Sequence, residues 1–255
     1  MLIGAKTDKG SPVSDARHLR RLLDVAYETF GRYRRPQVLD ASPLRDPEKL
    51  LKQLTAKPLR LLDVEDVQEY ALAALTTVGT AEDYKHFLPR LLDLATQSGV
   101  IEPPMIALKL TMAEWRAWPK NEQQAVEEIV VYACVDAFHQ HTDECLAGGW
   151  LIGVALLKMD LGHLQAQVAA SDNDHCALQI AYLLLSDTIF ASDPSERAYW
   201  KGVPDETLQG TRSWLLSEKT RTSLLTARLQ TRPADVWLLE KAIAKREELL
   251  QQRLH

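Results

Sequence analysis

Two consecutive amphipathic stretches between Asp63 and Gln97 constrain the fold of this chain more than any other feature. They read VEDVQEYALAALTTVG and TAEDYKHFLPRLLDLATQ, and each opens on an acidic pair, Glu65-Asp66 and Glu82-Asp83. Carboxylates in a first turn suit the positive end of a helix dipole. Val64, Val67, Ala71, Ala74, Leu75 and Val78 share one stripe of the first stretch. Tyr84, Phe87, Leu88, Leu91, Leu92 and Ala95 share one stripe of the second. Steps of three and four residues are helical, and Gly79-Thr80 breaks the two helices apart. Pro89 lies inside the second helix and predicts a kink or a restart there.

The rest of the chain reads the same way. Residues 1–14 are polar and turn-rich and are expected as a flexible lead, with 15–255 as a single all-helical domain. Asp15 is placed to cap a helix to about Tyr33, and a connector punctuated by Pro36, Pro43 and Pro47 holds a short helix at 48–54. After the hairpin, Pro103-Pro104 interrupts the chain, and Pro119 is suited to the first position of a helix running to about Gln140. Further helices are expected at 145–159, 161–170, 174–190, 194–200, 207–229 and 234–254. Gly148-Gly149 sits in an apolar helix, where it permits close packing rather than phosphate binding. No alternating apolar and polar run demands a sheet, so the expected class is all-α.

The stretch Leu61–Ala95 resembles a HEAT-type repeat: LLDVEDVQEYALAALTTVG is similar to that family's acidic turn, alanine-bearing first helix and inter-helix glycine, and FLPRLLDLA to its proline-leucine second helix. The resemblance implies paired helices that cannot bury their apolar faces alone and stack against neighbours. No constant period repeats it along the chain. The expected architecture is therefore an irregular stack of antiparallel helical hairpins, HEAT-like in kind. DYKHFLPRLLDL is also similar to a stretch in an uncharacterised bacterial all-helical protein family, a resemblance that implies no activity.

Composition narrows the function. A formal charge of −5 and a pI near 5.8 argue against a dedicated nucleic-acid binder. Cys134, Cys145 and Cys176 cannot all pair, and no zinc-ligand CxxC occurs, which favours reduced thiols. The start lacks the apolar run of a secretory signal, and the most hydrophobic window, Leu146 to Met159, is too short to span a bilayer. The expected location is cytoplasmic, away from membranes.

One pattern carries possible chemistry. His18, His86, His139, His163 and His175 each follow an aspartate by three residues: Asp15, Asp83, Asp136, Asp160 and Asp172. Positions i and i+3 share a helix face, so each pair is able to orient an imidazole or join it on a metal. Helix capping by the aspartates is the simpler account, and no metal or cofactor is assigned. His139, His141, Asp143 and Cys145 form a second histidine-rich group, read as a helix C-terminus rather than a metal site. HExxH, P-loop, GxSxG and GxGxxG patterns are absent. The sequence therefore favours a non-enzymatic helical protein that binds another protein, for instance as a bacterial immunity or adaptor protein. Asp66, Glu69, Glu82 and Asp83 would face a basic partner, and Trp115 and Trp118, if exposed, would anchor an interface. The alternatives are a metal-dependent enzyme built on the Asp-x-x-His pairs, and nucleic-acid binding through Arg17, Arg20, Arg21, Arg32, Arg34 and Arg35.

Overall fold

In a computed structural model, the described residues are 12–97, 99–171, 173–186, 188–191 and 200–252. Among them the chain forms twelve α-helices and no β-strand, which is an all-α fold. No helix among them is long and apolar enough to cross a membrane.

Helix α1 (Pro12–Phe30) starts earlier than expected, so Asp15 lies within it rather than ahead of it. Residues 1–11 of the expected lead lie outside the described residues. Helix α2 (Pro47–Leu54) begins at a proline, and the Asp46 carboxylate accepts a hydrogen bond from the Lys49 amide at 3.0 Å. A short 3-10 turn at Leu59–Leu61 leads to the hairpin. Its first helix, α3 (Val64–Ala73), opens with a reciprocal cap between Asp63 and Asp66. It ends at Ala73, before the stretch to Val78 that its stripe predicted. The reason is tertiary: the connector claims those backbone groups, with Ser42 N donating to Thr77 O (2.9 Å) and Gly79 N to Asp40 O (2.7 Å). Gly79 adopts φ +71°, a left-handed conformation that suits glycine.

Helix α4 (Ala81–Gln97) runs unbroken through Pro89 and does not restart there. Proline inside a helix costs about 3 kcal/mol. Burying Leu88, Leu91 and Leu92, each at most 1 % exposed, offsets this at roughly 1.5–3 kcal/mol per side chain. Helix α5 (Pro103–Met112), a 3-10 turn at Trp115–Ala117 and helix α6 (Lys120–His139) follow.

Next come α7 (Ala147–Leu156), α8 (Leu161–Ala170) and α9 (Asp174–Ser186), then α10 (Asp205–Leu215), α11 (Glu218–Gln230) and α12 (Val236–Gln252). The single helix expected at 207–229 is two, because Ser217 caps a new start by accepting from the Thr220 amide at 3.2 Å. Most of the helix expected at 194–200 lies outside the described residues.

Helix α6 sits centrally, packed on α1, α7, α8 and α9, while α5 lies along α7 and α9 along α12. The α5–α7 approach is close: a Cβ on Gly153 would stand 3.5 Å from the Pro103 carbonyl oxygen, and one on Gly149 3.6 Å from Pro103 Cδ. The buried apolar side chains make one continuous core.

Two buried charges tie distant segments together. Glu122, at the start of α6, is 0 % exposed. Its carboxylate pairs with Arg32, accepts from Tyr33 Oη at 2.7 Å, and lies 3.0 Å from Lys85 Nζ of α4. Towards the end of the chain Arg246 of α12, 1 % exposed, donates to Leu216 O (2.8 Å) and to Glu218 (2.6 Å). It thereby places a cation at the C-terminus of α10.

Removing one member of a buried ion pair typically costs about 3–5 kcal/mol, whereas exposed pairs contribute under about 1 kcal/mol. Glu122→Ala is expected to lose stability in the first range. Arg32→Ala, whose side chain is half exposed, should lose far less. Urea denaturation of the two variants checks this ordering.

Candidate functional site

The acidic residues of the hairpin are used largely within the fold. Asp66 accepts from the Asp63 amide (2.9 Å) and from Lys57 Nζ (2.7 Å), and Glu69 lies 3.5 Å from Arg45. Asp83 accepts from both the amide and the hydroxyl of Thr80, at 2.8 and 2.9 Å. Glu82 is exposed. Trp115 and Trp118 are 3 % and 7 % exposed, so the exposed pair considered from sequence is not formed. The 3-10 turn folds them inward: Trp118 Nε1 donates to Ala113 O (2.9 Å), and the Lys85 ammonium sits 4.2 Å over its ring. The exposed tryptophan is Trp237, at 56 %.

Exposed apolar side chains on α3 and α5 are a feature that the acidic pattern did not point to. Leu72 of α3 is 60 % exposed, and Leu108 and Met112, one turn apart on α5, are 47 % and 50 % exposed. Lys109 Nζ, 3.4 Å from Thr76 Oγ1, ties the α5 strip to the end of α3. Lys109 is 6 % exposed, no carboxylate pairs with it among the described residues, and burial pushes its pKa down.

The Asp-x-x-His pairs separate. Asp83 caps α4, while His86 Nδ1 lies 2.9 Å from Tyr33 O and therefore carries the proton there. Asp160 caps α8 by accepting from the His163 amide at 3.1 Å, and the His163 ring meets Gln167 instead. Asp136 accepts from Gln140 Nε2 (2.7 Å), and the His175 ring donates to His139 O (3.0 Å). The side chain of Asp15, and Asp172 altogether, lie outside the described residues.

Because α6 ends at His139, the 139–145 group forms a turn rather than a helix face. In it His141, 7 % exposed, meets Asp235 at 3.3 Å and Asp143 at 3.2 Å. No group of three His, Cys, Asp or Glu side chains among the described residues is placed to hold a metal ion. The three thiols are free, and burial raises all of them, Cys176 to about 11. Of the arginines, Arg32 is drawn onto Glu122 and Arg35 onto Thr55 O, while Arg17, Arg20 and Arg21 stay exposed on α1.

The sequence did not disclose one concavity at the helix ends. A half-open cleft of about 690 Å³ lies where the C-terminal ends of α4, α6 and α9 meet the starts of α5 and α7. Its apolar walls include Leu19, Pro103, Ala133, Ala137, Trp150 and Leu183. Its charged lining residues are Glu102, Asp136, Asp143 and Glu144, and the described lining holds no lysine, arginine or histidine. Buried Gln179 of α9 fixes the wall by accepting from the Ala147 amide (3.0 Å) and donating to Gln140 O (3.0 Å) and Cys145 O (2.7 Å).

Burial is the main cause that holds the His86 pKa below its ordinary value, with Arg35 adding to it and the Tyr33 carbonyl and Asp83 opposing. The folded state therefore binds fewer protons than the unfolded state once the pH falls below about 6.5. Stability linked to His86 is present above that pH and is lost as the pH falls towards the folded value. In urea titrations at stepped pH, wild type should lose stability between neutral and mildly acidic pH more steeply than His86→Gln. No family model matches the chain, and neither a curated protein nor a solved structure matches it.

Proposed function

We propose that this chain works by binding another protein, through the outer face that α3 and α5 present, with the hairpin acting as a HEAT-type unit. The observation that carries the reading is the exposure of Leu72 on α3 and of Leu108 and Met112 on α5, beside a buried Lys109 that reaches Thr76 just beyond α3 and has no carboxylate partner among the described residues. Exposed apolar side chains grouped on one face are costly to leave in water unless something covers them. A buried ammonium without a counter-charge is costly too. A partner segment that brings an acidic group flanked by apolar side chains relieves both. The partner's carboxylate would meet Lys109, and its apolar groups would cover Leu72 and Met112. Of the hairpin only α3 keeps a part in recognition, now together with α5, and the roles shift. Asp66 and Asp83 cap helices, and the apolar strip supplies the contact area.

Truncating or charging an apolar anchor at the centre of an interface typically costs more than about 2 kcal/mol. Immobilised wild-type protein is expected to retain a specific protein from an extract of its own host. Leu72→Lys combined with Met112→Lys should retain at least about tenfold less, with an unchanged thermal transition. Glu48→Lys on α2 should retain the same amount as wild type. An identical protein set on wild type and on the double variant would overturn the proposal.

A further inference from the structure

We infer that the turn after α3 is a two-state device, in which the peptide between Ala74 and Leu75 flips, α3 gains a further turn, and the connector at Asp40–Ser42 lets go. The inference stands whether or not a partner docks on α3 and α5.

The backbone comes first. Ala74 has φ −49° and ψ 135°, Leu75 has φ +63°, and Thr76 N donates to Ala73 O at 3.1 Å. These are the marks of a type II turn, whose third residue needs a positive φ and is ordinarily glycine or asparagine. Leucine is neither. Its Cβ crowds the backbone in the left-handed region, so the position holds strain that glycine would not. The sequence asks for a different conformation here, because Ala74, Leu75 and Val78 continue the apolar stripe of α3 at helical spacing.

The hydrogen bonds of the turn are unevenly shared. The Ala73 carbonyl faces the amides of Thr76, Thr77 and Val78, at 3.1, 3.0 and 3.2 Å, and accepts from Thr76 Oγ1 at 2.8 Å. Its oxygen has two lone pairs for these four donors. Tyr70 Oη and Thr77 Oγ1, by contrast, are buried and have no hydrogen-bond partner among the described residues. One bond of a longer helix already exists, from Thr77 N to Ala73 O, four residues back.

Types I and II differ chiefly in which way the central peptide faces, and the type I dihedrals are close to helical. Turning over the Ala74–Leu75 peptide therefore needs little movement of the chain on either side. Leu75 N gives up Val78 O, now 2.9 Å away, for Ala71 O, while Thr76 N takes Leu72 O and Val78 N takes Ala74 O. The Ala73 carbonyl is unloaded and left for Thr77 Oγ1, since a helical threonine can bond the carbonyl four residues back. The connector opposes the flip, with Ser42 N on Thr77 O and Gly79 N on Asp40 O. Relief of one left-handed leucine and loss of one or two hydrogen bonds are of the same order, which is the balance a two-state element needs. Thr76, which Lys109 Nζ reaches, lies in this turn, so the flip also resets that contact with α5.

Relaxation-dispersion and saturation-transfer NMR on the intact protein, read at the amides of Ser42 and of residues 74–79, tests the inference. Wild type is expected to show one exchange process common to these amides, to a minor state in which the Leu75 Cα shift is helical. Leu75→Gly removes the strain and should abolish the exchange. Leu75→Ala loses the same side-chain contacts but keeps the Cβ, and should retain it. Leu75→Gly should also melt roughly 2–4 °C above Leu75→Ala, the reverse of their order within a helix. Absence of exchange in wild type, a minor state without the helical shift, equal exchange in the two variants, or a higher melting point for Leu75→Ala would overturn it. The wild-type spectra decide the matter even if a variant fails to fold.

Discussion

The Glu122 carboxylate, fully withdrawn from water, is the interaction on which the N-terminal half of the molecule depends. A buried charge of this kind costs several kcal/mol unless partners surround it. Those partners come from two other places in the chain: Arg32 and Tyr33 just beyond α1, and Lys85 on α4. Lys85 also donates to Tyr33 Oη at 3.0 Å and lies over Trp118. Satisfying one acid therefore fixes the end of α1, the orientation of α4 and the start of α6 together. It also explains why Trp118 is inside: its ring forms part of the enclosure around the ammonium.

Once α4 is oriented in this way, its apolar stripe and Pro89 lie in the core, and the outer edge of the hairpin is defined by what remains. Leu72 on α3 belongs to that remainder. The cleft arises elsewhere, from helix ends rather than helix faces. Helices α4, α6 and α9 stop near one another, and among the described residues a gap remains between their ends. The exposed apolar side chains of α3 and α5 and the carboxylate-lined cleft thus lie on different elements.

The caps were legible because each is completed within one turn of chain. Asp63 with Asp66, Asp83 with Thr80, and Asp160 with the His163 amide all involve residues three apart. The same locality explains the misreadings. Helix α3 is cut short by hydrogen bonds from Ser42 and to Asp40, more than thirty residues earlier. Pro89 promised a break, but the packing of Leu88, Leu91 and Leu92 overrode it. Ser217 ahead of Glu218 was a readable cap signal, hidden inside a stretch whose apolar spacing continued across it. His86 was paired on paper with Asp83, three residues away, yet its partner is the Tyr33 carbonyl, 53 positions distant.

By itself the sequence determined the all-helical class, most helix positions and the caps that start several of them. Those depend on side-chain periodicity and on hydrogen bonds spanning a single turn. Only the tertiary structure decided that Trp115 and Trp118 are buried, that Lys109 has no carboxylate partner among the described residues, and that four carboxylates line one cleft. Burial and charge balance are properties of neighbours in space. Glu102, Asp136 and Glu144 come from different turns and helix ends, and no local rule relates them.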